Sequence, residues 1–113
     1  QNGLGGADVH AGTSGVSHFA YDDEQTCLEE VRYLLSLLPS NNRENPPRET
    51  SGDPVDRRSD ALLDLVPADG NRPYDMRKVI EEIVDDGDFL EVHERWATNL
   101  IVALARMDGQ VVG

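Results

Sequence analysis

The chain is 113 residues long and carries 22 Asp and Glu against 10 Lys and Arg, a formal charge of −12. That balance repels nucleic acid and anionic lipid. Ten glycines, six prolines and 5% aromatic residues leave material for one domain at most, with limited means of building a core of its own. A lone cysteine, Cys27, rules out an internal disulfide. No apolar run reaches the roughly 18 residues of a membrane span, so the expected compartment is a reducing cytoplasm.

In chain order, residues 1–20 contain five glycines and few bulky side chains. They predict loop and turn, with a short strand over 16–20. A helix follows. Asp22 is its expected N-cap, with Gln25 at capping-box spacing. Cys27, Leu28, Val31, Leu34, Leu35 and Leu38 recur at helical period, and Pro39 closes the segment. On that stripe Cys27 reads as a small buried hydrophobe.

Between Arg43 and Pro73 a proline or glycine interrupts the backbone every few residues. So long a connection is either disordered or a strap lying across something larger. The apolar anchor Ala61-Leu62-Leu63-Asp64-Leu65-Val66 favours the strap. A second helix starts at the cap Asp75, faces inward through Met76, Val79, Ile80, Ile83 and Val84, and is expected to stop at Gly87. Its acids Glu81, Glu82, Asp85 and Asp86 read as solvated.

Phe89 to His93 is a strand or a turn of helix, and Trp96 is a packing anchor. Asp108-Gly109 is a hairpin signal joining the apolar run 99–107 to the return strand Gln110-Val111-Val112-Gly113. That return arm is much shorter than its partner, which predicts a hairpin completed by flanking polypeptide.

No metal site is expected. Asp85-Asp86-Asp88 lacks the alternating ligands of a calcium loop, and His10 and His18, with Asp8 or Asp22, lack zinc-ligand spacing. Ser14 or Ser17 has no nucleophile-elbow context. Gly3-Leu4-Gly5-Gly6 follows no strand and opens no dinucleotide-binding helix.

Longer blocks carry more. Leu4-Gly5-Gly6-Ala7-Asp8-Val9-His10, Leu38-Pro39-Ser40-Asn41-Asn42, Asp53-Pro54-Val55-Asp56-Arg57, Pro73-Tyr74-Asp75-Met76 and Ala105-Arg106-Met107-Asp108-Gly109 occur in that order. Together they resemble the carboxyltransferase (beta) subunits of biotin-dependent acyl-CoA carboxylases, the propionyl-CoA and acetyl-CoA carboxylase group. Ala103-Leu104-Ala105-Arg106 departs from the usual Gly-Phe-Ala-Arg, and Gln110 stands where a basic residue is common. Methylcrotonyl-CoA carboxylases share the opening block, so the subfamily stays open.

The resemblance implies an α/β, crotonase-like (ClpP/crotonase) fold and an internal piece of a longer chain. Residues 1–42 would end an N-terminal carboxyltransferase domain, 43–73 would be a connecting strap, and 74–113 would begin a C-terminal domain. It further implies carboxyl transfer from carboxybiotin to the α-carbon of propionyl-CoA or acetyl-CoA. Biotin would ride on a partner biotin carboxylase/biotin carrier alpha subunit, ATP and Mg would serve that partner, and the assembly would be a homohexamer. The family's two oxyanion holes, Gly-Gly and Gly-Ala pairs, have no place on this chain, and Gly5-Gly6 is a separate structural pair. No catalytic residue is therefore expected here, and the 113 residues alone should be inactive. Candidate cleft-lining residues are His10, Thr13, Ser14, Gly15 and His18, with His18 read as structural rather than as a base. The rival reading is a small acidic protein–protein interaction module, folding autonomously and without catalysis.

Overall fold

The computed structural model describes residues 2–113. A 3-10 turn at Asn2–Leu4 leads into helix α1 (Ala7–Gly12), followed by α2 (Glu24–Ser36), α3 (Ala61–Leu65) and α4 (Met76–Ile83). A second 3-10 turn, Asp85–Gly87, enters strand β1 (Phe89–Val92), and β2 (Val102–Met107) and β3 (Gln110–Val112) complete an antiparallel sheet in the order β1-β2-β3. Helices and sheet together make an α/β architecture. Leu90 stands opposite Leu104 and Phe89 opposite Ala105, so the expected hairpin is the second half of a three-stranded meander. Its turn has Asp108 at φ 50° and Gly109 at φ 73°, the paired left-handed conformation of a tight hairpin.

Several local expectations are corrected. Residues 7–12 are helical rather than loop, because the glycines flank this stretch: Gly6, at the N-cap, lends its carbonyl to the N–H groups of Val9 and His10. No strand forms over 16–20; there the His18 carbonyl accepts one bond, from the His93 N–H at 2.9 Å.

The cap of α2 is Asp23, not Asp22. Asp23 has extended backbone and accepts from the Thr26 N–H at 2.8 Å and its hydroxyl at 2.7 Å, three residues on. Gln25 instead donates to Glu29 at 3.0 Å. Helix α4 starts at the expected cap, Asp75, which accepts from Arg77 N–H at 3.0 Å. It ends at Ile83, earlier than Gly87, which closes the following 3-10 turn at φ 65°.

The interior is small. Ala11, Leu37, Val79, Val84, Leu90 and Ala105 are buried, and Leu37 fully so. The stripe read from α2 is not buried within this chain. Leu28, Val31, Leu35 and Leu38 are exposed, as is Cys27, while Leu37, one residue beyond the helix, is fully buried. The radius of gyration, 16.8 Å, exceeds the roughly 13 Å of a compact domain of this length. That geometry disfavours a self-sealed interaction module. No helix among the described residues is long and apolar enough to cross a membrane.

Within 43–73, residues 48–59 are held by contacts to α4 and the hairpin. The Glu49 N–H donates to the Gly109 carbonyl at 3.0 Å, Arg48 pairs with Asp108 at 2.6 Å, and the Arg57 guanidinium donates to the Glu82 carbonyl at 2.8 Å. Ser59 donates to the Glu82 carboxylate, and Asp53 pairs with Arg57 at 2.5 Å. Glu82 is therefore a fastening point rather than merely a solvated acid, and Asp85 accepts from the Asp108 and Gly109 N–H groups of the hairpin turn.

Candidate functional site

Of the five candidate residues, His10 lies in the last turn of α1 and Thr13, Ser14, Gly15 and His18 lie in the turn that follows it. The Thr13 and Ser14 N–H groups both donate to the Val9 carbonyl, at 2.9 and 3.0 Å, closing the helix. The chain then reverses at Gly15, whose φ of 67° suits glycine. Thr13 is exposed and only its backbone takes part in this closure. His10 Nδ1 lies 3.1 Å from the Ser14 hydroxyl, which also accepts from the Val16 N–H at 3.4 Å.

A serine next to an imidazole invites comparison with a nucleophile and its base, but activation needs the base oriented by a third polar group. His10 Nε2 instead faces Gly5, where an added Cβ would stand 3.4 Å away. The pair stabilises the turn.

His93, 75 residues beyond His18, completes the site from the end of β1. Its ring lies 4.3 Å from the His18 ring at 30°, and its Nε2 is 3.0 Å from the Gly15 carbonyl. A carbonyl only accepts, so Nε2 carries the proton and donates. His93 holds φ 59°, a left-handed value that a non-glycine residue keeps only when its surroundings impose it. Trp96 supplies the wall. Its ring is 5.6 Å from His93 and so close to Gly15 that an added Cβ would come within 2.6 Å of it. Arg95 reaches across to Asp8 at 3.0 Å.

The structure thus joins Gly15 and His18 to His93 and Trp96, with His10 and Ser14 holding the turn beneath. Trp96 is the expected anchor, although 42% exposed. No periodicity relates His93 to a turn so distant in sequence, and no signal in the sequence pointed to it.

The cleft at this joint, between 17–21 and 91–95, encloses only about 20 Å³, enough for a water-sized group. Beside it an apolar hollow of about 210 Å³ is lined by Phe19, Ala20, Tyr21, Cys27, Val31 and Leu34. Burial pushes the Tyr21 hydroxyl above its usual pKa, with Glu30 adding to the effect. Cys27 opens onto this hollow. Among the described residues no three His, Cys, Asp or Glu side chains converge as a metal site would require.

Residues 1–113 match the family model described as Carboxyl transferase domain. The chain is 48% identical over 110 residues to methylmalonyl-CoA decarboxylase subunit alpha of Veillonella parvula, covering 97% of this chain and 22% of that protein. It is 46% identical over 110 residues to the propionyl-CoA carboxylase carboxyltransferase subunit of Haloferax mediterranei, covering 97% of this chain and 21% of that one. A crystal structure of transcarboxylase 12S, a hexamer assembly with methylmalonyl-coenzyme A and methylmalonic acid bound, superposes with a TM-score of 0.94. It covers 99% of this chain and 22% of its own, at 43% identity. The chain therefore spans about a fifth of the length of the relatives it matches.

Proposed function

The chain belongs to the carboxyl transferase domain family, and on that premise we propose that it forms the connecting region of a biotin-dependent acyl-CoA carboxyltransferase. In this reading 1–42 closes one crotonase-like unit, 43–73 is the strap between units, and 74–113 opens the second. The observation that carries it is the continuity of the likeness along the whole chain, strap included. A shared core motif alone would not extend through an irregular connection.

The substrate is a short acyl-CoA. Removing its α-proton creates an enolate, and such charge needs preorganised N–H donors in a dry cleft. Gly5 and Gly6 are read as a structural pair: Gly6 is the N-cap of α1, its carbonyl accepting from the Val9 and His10 N–H groups. What these residues do is architectural. His93 and Trp96 fix the Gly15–His18 turn against the sheet, and strap contacts fix 48–59 against α4 and the hairpin.

Biotin would be borne by a partner carrier subunit, whose carboxylase would use ATP and magnesium, and the subunits would assemble as a homohexamer. Carboxyl transfer between biotin and an α-carbon runs in both directions, and relatives are named for each. The second reading, favoured by the Veillonella relative, has methylmalonyl-CoA as donor and a decarboxylating partner.

The test uses the full-length polypeptide carrying this sequence, with carboxyl-labelled methylmalonyl-CoA and free biotin. Biotin-dependent loss of label from the thioester supports the reading. Loss no faster than without biotin refutes it.

A further inference from the structure

The first segment and the sheet meet at a second place, and there one side chain makes the connection. We propose that Arg106 is a positioning residue for carboxyl transfer: its guanidinium ties the end of α2, the strap and strand β2 into one joint. This rests on the reading above.

Arg106 sits on β2 opposite Val111, between the buried Ala105 and the hairpin turn. Its side chain is only 14% exposed. Nη2 donates to the Ser36 carbonyl at 3.2 Å, approaches the Ser36 hydroxyl at 3.5 Å and pairs with the Glu49 carboxylate at 3.1 Å. Ser36 is the last residue of α2, where carbonyls have no partner within the helix and the dipole favours a cation. The Ser36 hydroxyl donates back to the Tyr33 carbonyl at 2.6 Å, so the helix end is closed around the guanidinium.

The same side chain lines a polar hollow of about 100 Å³ with Tyr33, Thr50, Ser51, Asp85 and Asp88. Burial and Asp88 push the Tyr33 hydroxyl up, while Arg106 pulls it down. The contacts to Ser36 and Glu49 all leave from Nη2, while Nε is buried without a hydrogen-bond partner among the described residues. The rigid guanidinium plane fixes where Nη2 stands, which an ammonium on a flexible stem does not reproduce.

Arg106 contacts 1–42 through Ser36 and 43–73 through Glu49, while itself lying in 74–113. If the outer segments belong to two units of one carboxyltransferase, a small loss of register between them reaches the reacting groups. A misplacement of about 1 Å, arising far from the chemistry, is worth on the order of a hundredfold in rate.

The experiment compares full-length R106M and R106K with the parent. R106M should lower kcat for label exchange about a hundredfold while the KM for methylmalonyl-CoA stays within about twofold, because the Arg106 guanidinium is engaged by Ser36 and Glu49 of the chain itself. R106K retains charge but not the rigid guanidinium plane that places Nη2, and should recover only a minor part of the loss. An unchanged kcat, or full recovery by lysine, would overturn the proposal.

Backbone hydrogen exchange reads the joint without activity. Both variants should exchange about tenfold faster at the Leu37, Leu38 and Glu49 amides, and unchanged protection there sinks the proposal. An inactive parent whose variants still lose this protection would instead remove the carboxyltransferase reading and leave the joint standing.

Discussion

Asp85 caps the hairpin turn that Gly109 completes: its two carboxylate oxygens accept from the Asp108 N–H at 3.0 Å and the Gly109 N–H at 2.7 Å. A tight turn leaves these donors pointing away from the ladder, and a carboxylate satisfies both at once. Hydrogen bonds to a charged acceptor are worth about 1.5–3 kcal/mol each, less when partly exposed. Asp85→Ala in the full-length chain should therefore lower stability by about 2 kcal/mol. Denaturant unfolding checks this; an unchanged midpoint would remove Asp85 as the cap.

Gly109 has a second constraint. At φ 73° it is left-handed, and a Cβ there would overlap the Glu49 carbonyl of the strap. Gly109→Ala cannot relieve the overlap without breaking the Glu49-to-Gly109 hydrogen bond. Limited proteolysis should then cut 43–73 about tenfold faster, the ratio expected when a local contact worth about 1.4 kcal/mol is lost. An equal cutting rate would mean that the strap is held elsewhere.

At the other joint, Gly15→Ala brings a methyl group into the Trp96 ring. The indole must move, because Gly15 is itself fixed by the His93 bond to its carbonyl. Full-length Gly15→Ala should lose about 2 kcal/mol of stability through backbone strain and displaced packing. Its label-exchange kcat should fall by at least tenfold, the direction that misplacement predicts. Parental stability with parental kcat would show that the turn tolerates a side chain.

The α2 cap gives a pH dependence. The Thr26 N–H, seconded by the Thr26 hydroxyl, holds the exposed Asp23 carboxyl below its usual pKa. A depressed carboxylate stabilises the fold fully above its unfolded pKa of about 3.9 and loses that contribution as pH falls through the lower folded value. Circular dichroism should thus show α2 helicity steady from neutrality to about pH 4 and falling below it. Asp23→Asn should remove that step, and a step that persists in the variant would assign it to another acid.

Much of this architecture was legible because local rules govern it. The Asp75 cap and the Asp108-Gly109 turn follow from side-chain chemistry within a few residues, whereas of the expected inward face of α4 only Val79 and Val84 are buried and Met76 and Ile83 are exposed. The cap of α2 was displaced by one position because two adjacent aspartates offer the same group, and only backbone geometry selects Asp23. Helix α1 was hidden by the glycines around it. The role of Asp85, the joint of His18 with His93 and the reach of Arg106 to Ser36 join residues 23 to 75 positions apart. No periodicity encodes such pairs; tertiary packing makes them. The exposed stripe of α2 shows the converse, since the pattern announces a buried face but not what covers it.

A segment exchange tests directly whether these residues serve as the connecting region of a carboxyltransferase. The 113 residues replace the matching stretch of transcarboxylase 12S, and carboxyl exchange from methylmalonyl-CoA is measured in the purified chimera. Retention of the hexamer, with kcat within about tenfold of the parent, is predicted, since the joints at His93 and Arg106 travel with the segment. A folded hexamer exchanging label no faster than blank would contradict it.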